Sequence, residues 1–178
     1  MRDRDAFGAL FERHWEPIFK FCYSRFGDWH TAEDAAAEVF LKALANLSNY
    51  DPSVPGTSFR SWLFGIARNV VASSYRTTAA RPQTTLNDAL SAGSGEESPE
   101  EHVLAVERHD ELRRLLERLP SDQRELLELR MAGLSAAEIG RVMGRTQEAI
   151  RKAQSRSVIS LRNAVQRELH VTNGQRHG

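Results

Sequence analysis

The stretch 135–156, SAAEIGRVMGRTQEAIRKAQSR, decides the fold of its half of the chain. Ser135 with Glu138 three residues later is a capping box, which starts a helix over AAEIGRVM. Gly144 stops that helix, because glycine takes positive φ without a Cβ penalty. Thr146 then caps a longer helix beginning QEAIRKAQSR. A short helix, the turn Met143-Gly144-Arg145 and a longer helix make a helix-turn-helix pattern. Gly140 stands where the two helices must approach closely, and Ile139, Met143, Ile150 and Ala153 fill the space between them. An ordinary helical hairpin with a basic outer face has the same local pattern. The second helix presents Arg145, Thr146, Gln147, Glu148, Arg151, Lys152, Ser155 and Arg156 outward. Arg and Lys pair with guanine acceptors in a major groove, and Gln pairs with adenine. Arg156 and Arg162 lie further along, where phosphates run, and the helix N-terminus favours a phosphate as well.

Charge agrees with that reading only when it is divided along the chain. The formal net charge of the 178 residues is zero, with 24 Lys/Arg and 24 Asp/Glu. Residues 1–76 hold nine of each sign, residues 77–107 one basic and six acidic, and residues 108–178 fourteen basic and nine acidic. Within the last block, residues 141–178 hold eight basic and two acidic, so the tail is basic while the middle is acidic.

Upstream of 135 the sequence is helical throughout. Phe7, Leu10, Phe11, Trp15, Ile18, Phe19, Cys22 and Phe26 recur at three- and four-residue steps. Pro17 predicts a kink or break within them, and Gly27-Asp28 an end. Thr31 with Asp34 reads as the start of a helix with Ala35, Val39, Leu41, Leu44 and Leu47 on its apolar side and Glu33, Asp34, Glu38 and Lys42 outside. The loop SNYDPSVPGTS follows, and Ser58 caps FRSWLFGIARNVVASSYR, with Phe59, Trp62, Leu63, Ile66, Val70 and Val71 at helical spacing. Residues 78–98 have linker composition. Ser98-Pro99-Glu100-Glu101 predicts a helix to about Arg118, and Ser121 caps one that stops at Gly133. No sustained period-two alternation competes, so the fold class is all-α, in two small helical domains at 1–77 and 99–172 with a short disordered tail at 173–178.

Several function classes are excluded or disfavoured. No apolar run is long enough for a membrane span, and the charged N-terminus has no secretory h-region. The lone Cys22 forms no internal disulfide, which fits a cytoplasmic protein, and it reads as a core residue. One Cys and six scattered His give no zinc spacing, and no Gly-rich phosphate loop or Ser/His/Asp grouping appears. Neither metal, cofactor nor enzymatic activity is expected.

Four segments in order resemble the extracytoplasmic-function group of bacterial sigma factors: FGALFERHWEPIFKFCYSRFGDWHTAEDAAAEVFLKAL, FRSWLFGIARN, LERLPSDQRELLELRMAGLSAAEIGRVMGRT and EAIRKAQSRSVISLR. The resemblance implies sigma domain two at 1–77, a linker, and sigma domain four at 99–172. It implies that Glu33, Asp34, Glu38 and Lys42 grip the β′ clamp helices of core RNA polymerase, with the β flap as a second core contact. It implies that Tyr50, Arg60, Trp62, Arg68, Asn69 and Arg76 handle a melted −10 strand, with Asn69 near a flipped base. The eight outward residues of the last helix would read −35 duplex DNA. An anti-sigma protein is implied as regulator, and the free chain as monomeric. Each of these residues has a plainer reading: Trp62 as core, Asn69 as a surface amide, Arg68 as an ion-pair partner, and the acidic group as a solvated face. The chain departs from the family pattern at Gly140, where alanine is more usual, at Ala153-Gln154, and in the negative charge of Glu148. A freestanding helix-turn-helix regulator is the alternative that the last helices alone would allow.

Overall fold

The structure is a computed structural model that describes residues 2–55, 57–79 and 109–174, with side chains over 7–55, 57–76 and 109–167. The tract 80–108, holding most of the expected linker and the helix start at Ser98, lies outside the described residues, as do tail residues 175–178. The described elements are α1 (Arg2–Phe26), α2 (Trp29–Ala45), a 3-10 turn (Leu47–Asn49), α3 (Phe59–Ala79), α4 (109–117), α5 (Ser121–Met131), α6 (Ala136–Met143) and α7 (Gln147–Gly174). All are helical, as the periodicities predict.

Helix α1 runs unbroken through Pro17. Proline there removes one backbone donor, and the carbonyl left without it belongs to Arg13, an exposed residue that water can reach. Helix α2 begins three residues earlier than the Thr31 signal suggests. Asp28 is the N-cap, accepting from the Thr31 amide at 2.7 Å and the Thr31 hydroxyl at 2.6 Å. These bonds hold the Asp28 carboxyl below its ordinary range. Ser121 likewise does not cap: α5 starts at Ser121 itself, after Pro120, with no side-chain cap bond.

The first unit packs α1, α2 and α3 around Ile18, Phe21, Cys22, Val39, Phe40, Leu63, Phe64 and Val70. Small residues line the buried side of α2, where Ala32, Ala35, Ala36 and Ala43 let its neighbours come close. Leu41 and Leu44, expected in this core, are 67% and 53% exposed. They fall on the same face as Glu33 and Asp34, because the core stripe runs through the alanines. The second unit packs α5, α6 and α7 around Leu126, Leu129, Leu134, Ile139 and Ile150.

The two units touch. Helix α3 packs on α6 and α1 on α5. Glu128, its side chain 2% exposed, lies 2.8 Å from Arg124 Nε on its own helix and 2.7 Å from Arg25 Nε on α1. The Arg25 pair is ionic at an angle that makes no hydrogen bond. Ser24 also donates to Glu128 at 3.0 Å. A carboxylate so far from water costs several kcal/mol unless compensated, and removing one partner from such a set costs about 3–5 kcal/mol.

Gly140 and Gly144 shape the turn between α6 and α7 by different means. Gly144 has φ 66° and ψ 35°, with open space around a would-be Cβ. A Cβ at Gly140 would stand 2.6 Å from the backbone oxygen of Arg145. Gly144→Ala should therefore cost about 1 kcal/mol, the left-handed penalty alone. Gly140→Ala should cost more, about 1–3 kcal/mol, because backbone must move. Urea unfolding of the two variants checks the order, and equal losses would remove the close-approach explanation.

Candidate nucleic-acid interface

The helix-turn-helix is built by local chemistry. The Ser135 hydroxyl accepts from the Glu138 amide, and the Glu138 carboxylate accepts from the Ser135 amide at 2.8 Å, completing the capping box. Gly144 ends α6 in the left-handed region, and Thr146 Oγ1 accepts from the Ala149 amide at 3.2 Å to start α7. The turn thus spans Gly144-Arg145-Thr146, one residue beyond the sequence expectation. Ile139, Ile150 and Ala153 are buried between the helices as expected, while Met143 is half-buried and Val142 takes a buried place.

This buried stripe of α7, with Ile150, Ala153, Ser157 and Ala164 inward, fixes what faces out. Arg145, Thr146, Gln147, Glu148, Arg151, Lys152, Ser155 and Arg156 are all exposed. Thr146 is engaged as the cap. Lys152 pairs with Glu148 at 2.7 Å across one turn, both in solvent, so each charge is partly offset by the other. Arg145 lies 3.9 Å from Asp122. Val158 and Ile159 extend the outer face as exposed apolar residues.

The second candidate surface lies on α3. The 3-10 turn delivers Tyr50 against the first turn of α3, where its ring is 5.4 Å from Trp62 and 5.5 Å from Phe59. Trp62 and Phe59 are 5.6 Å apart, completing a triad that is half-buried and open on one side. Trp62, Asn69 and Arg76 are seven residues apart, close to two helical turns, so they share one face. Asn69 and Arg76 are exposed on it.

Arg60 and Arg68 are not on that face. Arg68 points at the second unit, 2.6 Å from Glu125 on α5, and also donates to the Val142 carbonyl at 3.5 Å. Arg60 donates to the Gly133 carbonyl at 3.0 Å. The structure therefore divides the six α3-side candidates: Tyr50, Trp62, Asn69 and Arg76 gather on an open face, while Arg60 and Arg68 are occupied by the other unit. The partners that occupy them were not foreseen. Glu125 and Glu128 stand in ELLEL, where their spacing matches the buried leucines, and that was the available signal. Ser58, which donates to Glu138, and Arg141, which donates to the Pro55 carbonyl, were also missed as bridging residues. Burial acts to raise the Glu138 carboxyl, but its bonds from Ser58 and Ser135 outweigh that and keep it below its ordinary range.

The third surface is the outer face of α2. Glu33, Asp34, Glu38 and Lys42 are exposed, with Glu38 and Lys42 paired at 2.6 Å. Leu41 and Leu44 stand among them, making an acidic surface with an apolar centre. Among the described residues no group of His, Cys, Asp and Glu is arranged to hold a metal, and no helix is long and apolar enough to cross a membrane.

Comparison with known proteins supplies the family. The model for sigma-70 region 2 matches residues 10–81, and that for sigma-70 region 4 matches residues 109–161. The chain is 37% identical over 160 residues to the ECF RNA polymerase sigma factor BldN of Streptomyces coelicolor, covering 89% of this chain and 60% of BldN. It is 33% identical over 171 residues to the ECF RNA polymerase sigma factor SigD of Mycobacterium tuberculosis, covering 92% and 78%. Among solved structures, CnrH in complex with the cytosolic domain of CnrY has the same fold. Its TM-score is 0.67 and its identity 24%, with 92% of this chain and 89% of that one covered. The sigma factor RpoE of Bartonella quintana, solved with the anti-sigma factor NepR, gives 0.66 at 20% identity, covering 90% and 97%. With matches to both sigma-70 regions in order and relatives of this identity along most of its length, the chain belongs to the ECF RNA polymerase sigma factors.

Proposed function

We propose that the chain is a dissociable specificity subunit of bacterial RNA polymerase, acting in the cytoplasm without catalysing a reaction of its own. In this reading α7 enters the major groove at −35. The Tyr50–Trp62 face of α3, with Asn69 and Arg76, receives the melted −10 strand. The outer face of α2 docks on the β′ clamp helices of core, and the β flap meets the second unit. An anti-sigma protein regulates a chain that is monomeric when free. The observation that carries the reading is the open aromatic face on α3. Duplex readout by a helix-turn-helix needs no such face, whereas unpaired bases need rings to stack on and amides to grip. The exposed leucines of α2 support the docking role, since an apolar centre within a polar rim marks a protein contact.

Core polymerase with the chain should protect and open a −35/−10 promoter in a footprinting and permanganate assay, and neither component should do so alone. A stable sequence-specific footprint from the chain without core would overturn the reading in favour of a freestanding regulator. At −35, Arg151→Ala and Lys152→Ala should each weaken promoter binding and flatten its salt dependence, by about one unit of log–log slope per lost phosphate contact. Unchanged slopes would remove both from the interface. The α3 and α2 surfaces separate by a contrast of variants. Asn69→Ala should impair opening while core affinity holds. Leu41→Ser with Leu44→Ser should lower core affinity while thermal stability holds. A core-binding defect in Asn69→Ala would make that residue structural.

A further inference from the structure

We propose that Glu148 is a specificity-determining residue of α7, accepting a hydrogen bond from the N4 amino group of a cytosine in the −35 duplex. The proposal rests on the reading of α7 as the helix that enters the major groove there. Charge is the first observation. Residues 141–178 hold two acidic residues against eight basic ones. One of the two, Glu168, lies about 30 Å further along α7 than Glu148 at 1.5 Å per residue. Glu148 alone carries a negative charge at the N-terminal end of the helix, the end that meets base edges in a helix-turn-helix. Phosphates on both sides of a groove repel a carboxylate, so an acid at this end weakens binding unless it gains a partner in the groove.

Geometry puts the acid where that partner is. Successive residues of a helix advance about 100°. Ile150, Ala153, Ser157 and Ala164 are buried and define the inward direction of α7. Glu148 and Ser155 stand within about 10° of the opposite direction, and Arg151 and Lys152 about 50° to either side of it. A helix laid in a groove turns its crown to the base edges and its flanks to the phosphate walls. The acid is on the crown and the cations are on the flanks. A first-turn acid also suits the helix dipole, but any position in the turn serves the dipole, and only the crown reaches bases.

The Glu148 side chain is 77% exposed and its carboxylate pairs with Lys152 at 2.7 Å. The pair offsets the charge that phosphates repel, and it holds the carboxylate over the crown. Lone pairs remain on the carboxylate for a further donor. An ionised carboxylate only accepts, so its partner on a base must donate. The major groove offers two amino donors, cytosine N4 and adenine N6. Adenine N6 lies between two acceptors, its own N7 and the thymine O4, and both repel a carboxylate. Cytosine N4 has an acceptor on one side only, the guanine O6. Cytosine is therefore the base that fits.

The experiment uses the full chain with core polymerase on a promoter library in which the −10 element is fixed and the −35 element is randomised. Bound duplexes are sequenced for the wild type, Glu148→Ala, Glu148→Gln and Lys152→Ala, each checked for helix content by circular dichroism. The wild type should select C·G at one −35 position by about tenfold over the other pairs. Glu148→Ala should flatten that position and leave the preferences elsewhere as they are. Glu148→Gln should move it to adenine, whose N6 and N7 a glutamine amide grips together. Lys152→Ala should weaken binding to every sequence and blunt the cytosine preference without moving it to another base. A set of −35 preferences unchanged in both Glu148 variants would overturn the assignment, as would a wild-type adenine position that Glu148→Ala abolishes. A holoenzyme that opens the promoter but selects no −35 sequence at all would instead sink the reading of α7 as the −35 helix, and the assignment with it.

Discussion

Glu128 is a carboxylate held almost entirely out of water between an arginine of its own helix and an arginine of α1. The arrangement of the two units hangs on that compensation. Without Arg25 the second unit would carry a buried charge with half its partners, and without Glu128 two arginines and the Ser24 hydroxyl would face each other across the seam. Buried ion sets of this kind add little net stability against an apolar packing, but they are exacting about geometry. Here they fix the face that α5 turns toward α1. That in turn brings Glu125 to Arg68 and sets α6 beside α3. The buried apolar residues of the two units form one continuous cluster, and these charges add an exact geometric requirement where α5 meets α1.

The features legible in the sequence were those decided within a few residues. The capping box at Ser135, the left-handed Gly144 and the Thr146 cap are each local bargains between a side chain and the nearest amides, so their residues announce them. The all-α class was legible for the same reason. Helix starts were misplaced where two candidates compete over three residues: Asp28 wins over Thr31 because its carboxylate reaches both the amide and the hydroxyl of Thr31, making Thr31 the group that is capped. On α2 the expected Ala35 and Val39 are buried, but Leu41 and Leu44 are not: large apolar residues draw the eye. The stripe that is buried is mostly alanine, and alanine carries little weight in a hydrophobic pattern.

The candidate sites divide along the same line. The outward face of α7 followed from its buried face by helical geometry alone. On α3, spacing places Trp62, Asn69 and Arg76 on one face, yet nothing local says that Arg60 and Arg68 face a distant part of the chain. Their acceptors lie more than fifty residues away in sequence. Such pairing is a property of the folded whole. The buried glutamates in ELLEL were its one trace, and a glutamate at a core position is a reason to look for an arginine elsewhere.

The placement of the sole cysteine has a consequence for how such a chain could sense its surroundings. Cys22 is buried under α2 and α3, and loss of water raises its thiol to about 12. Peroxides and disulfides react with thiolates they can reach, and this sulfur is neither ionised nor reachable. No second cysteine is available to resolve a sulfenic acid. An oxidative signal carried by cysteine chemistry must therefore be registered by another molecule and reach these helices only as a change in who is bound.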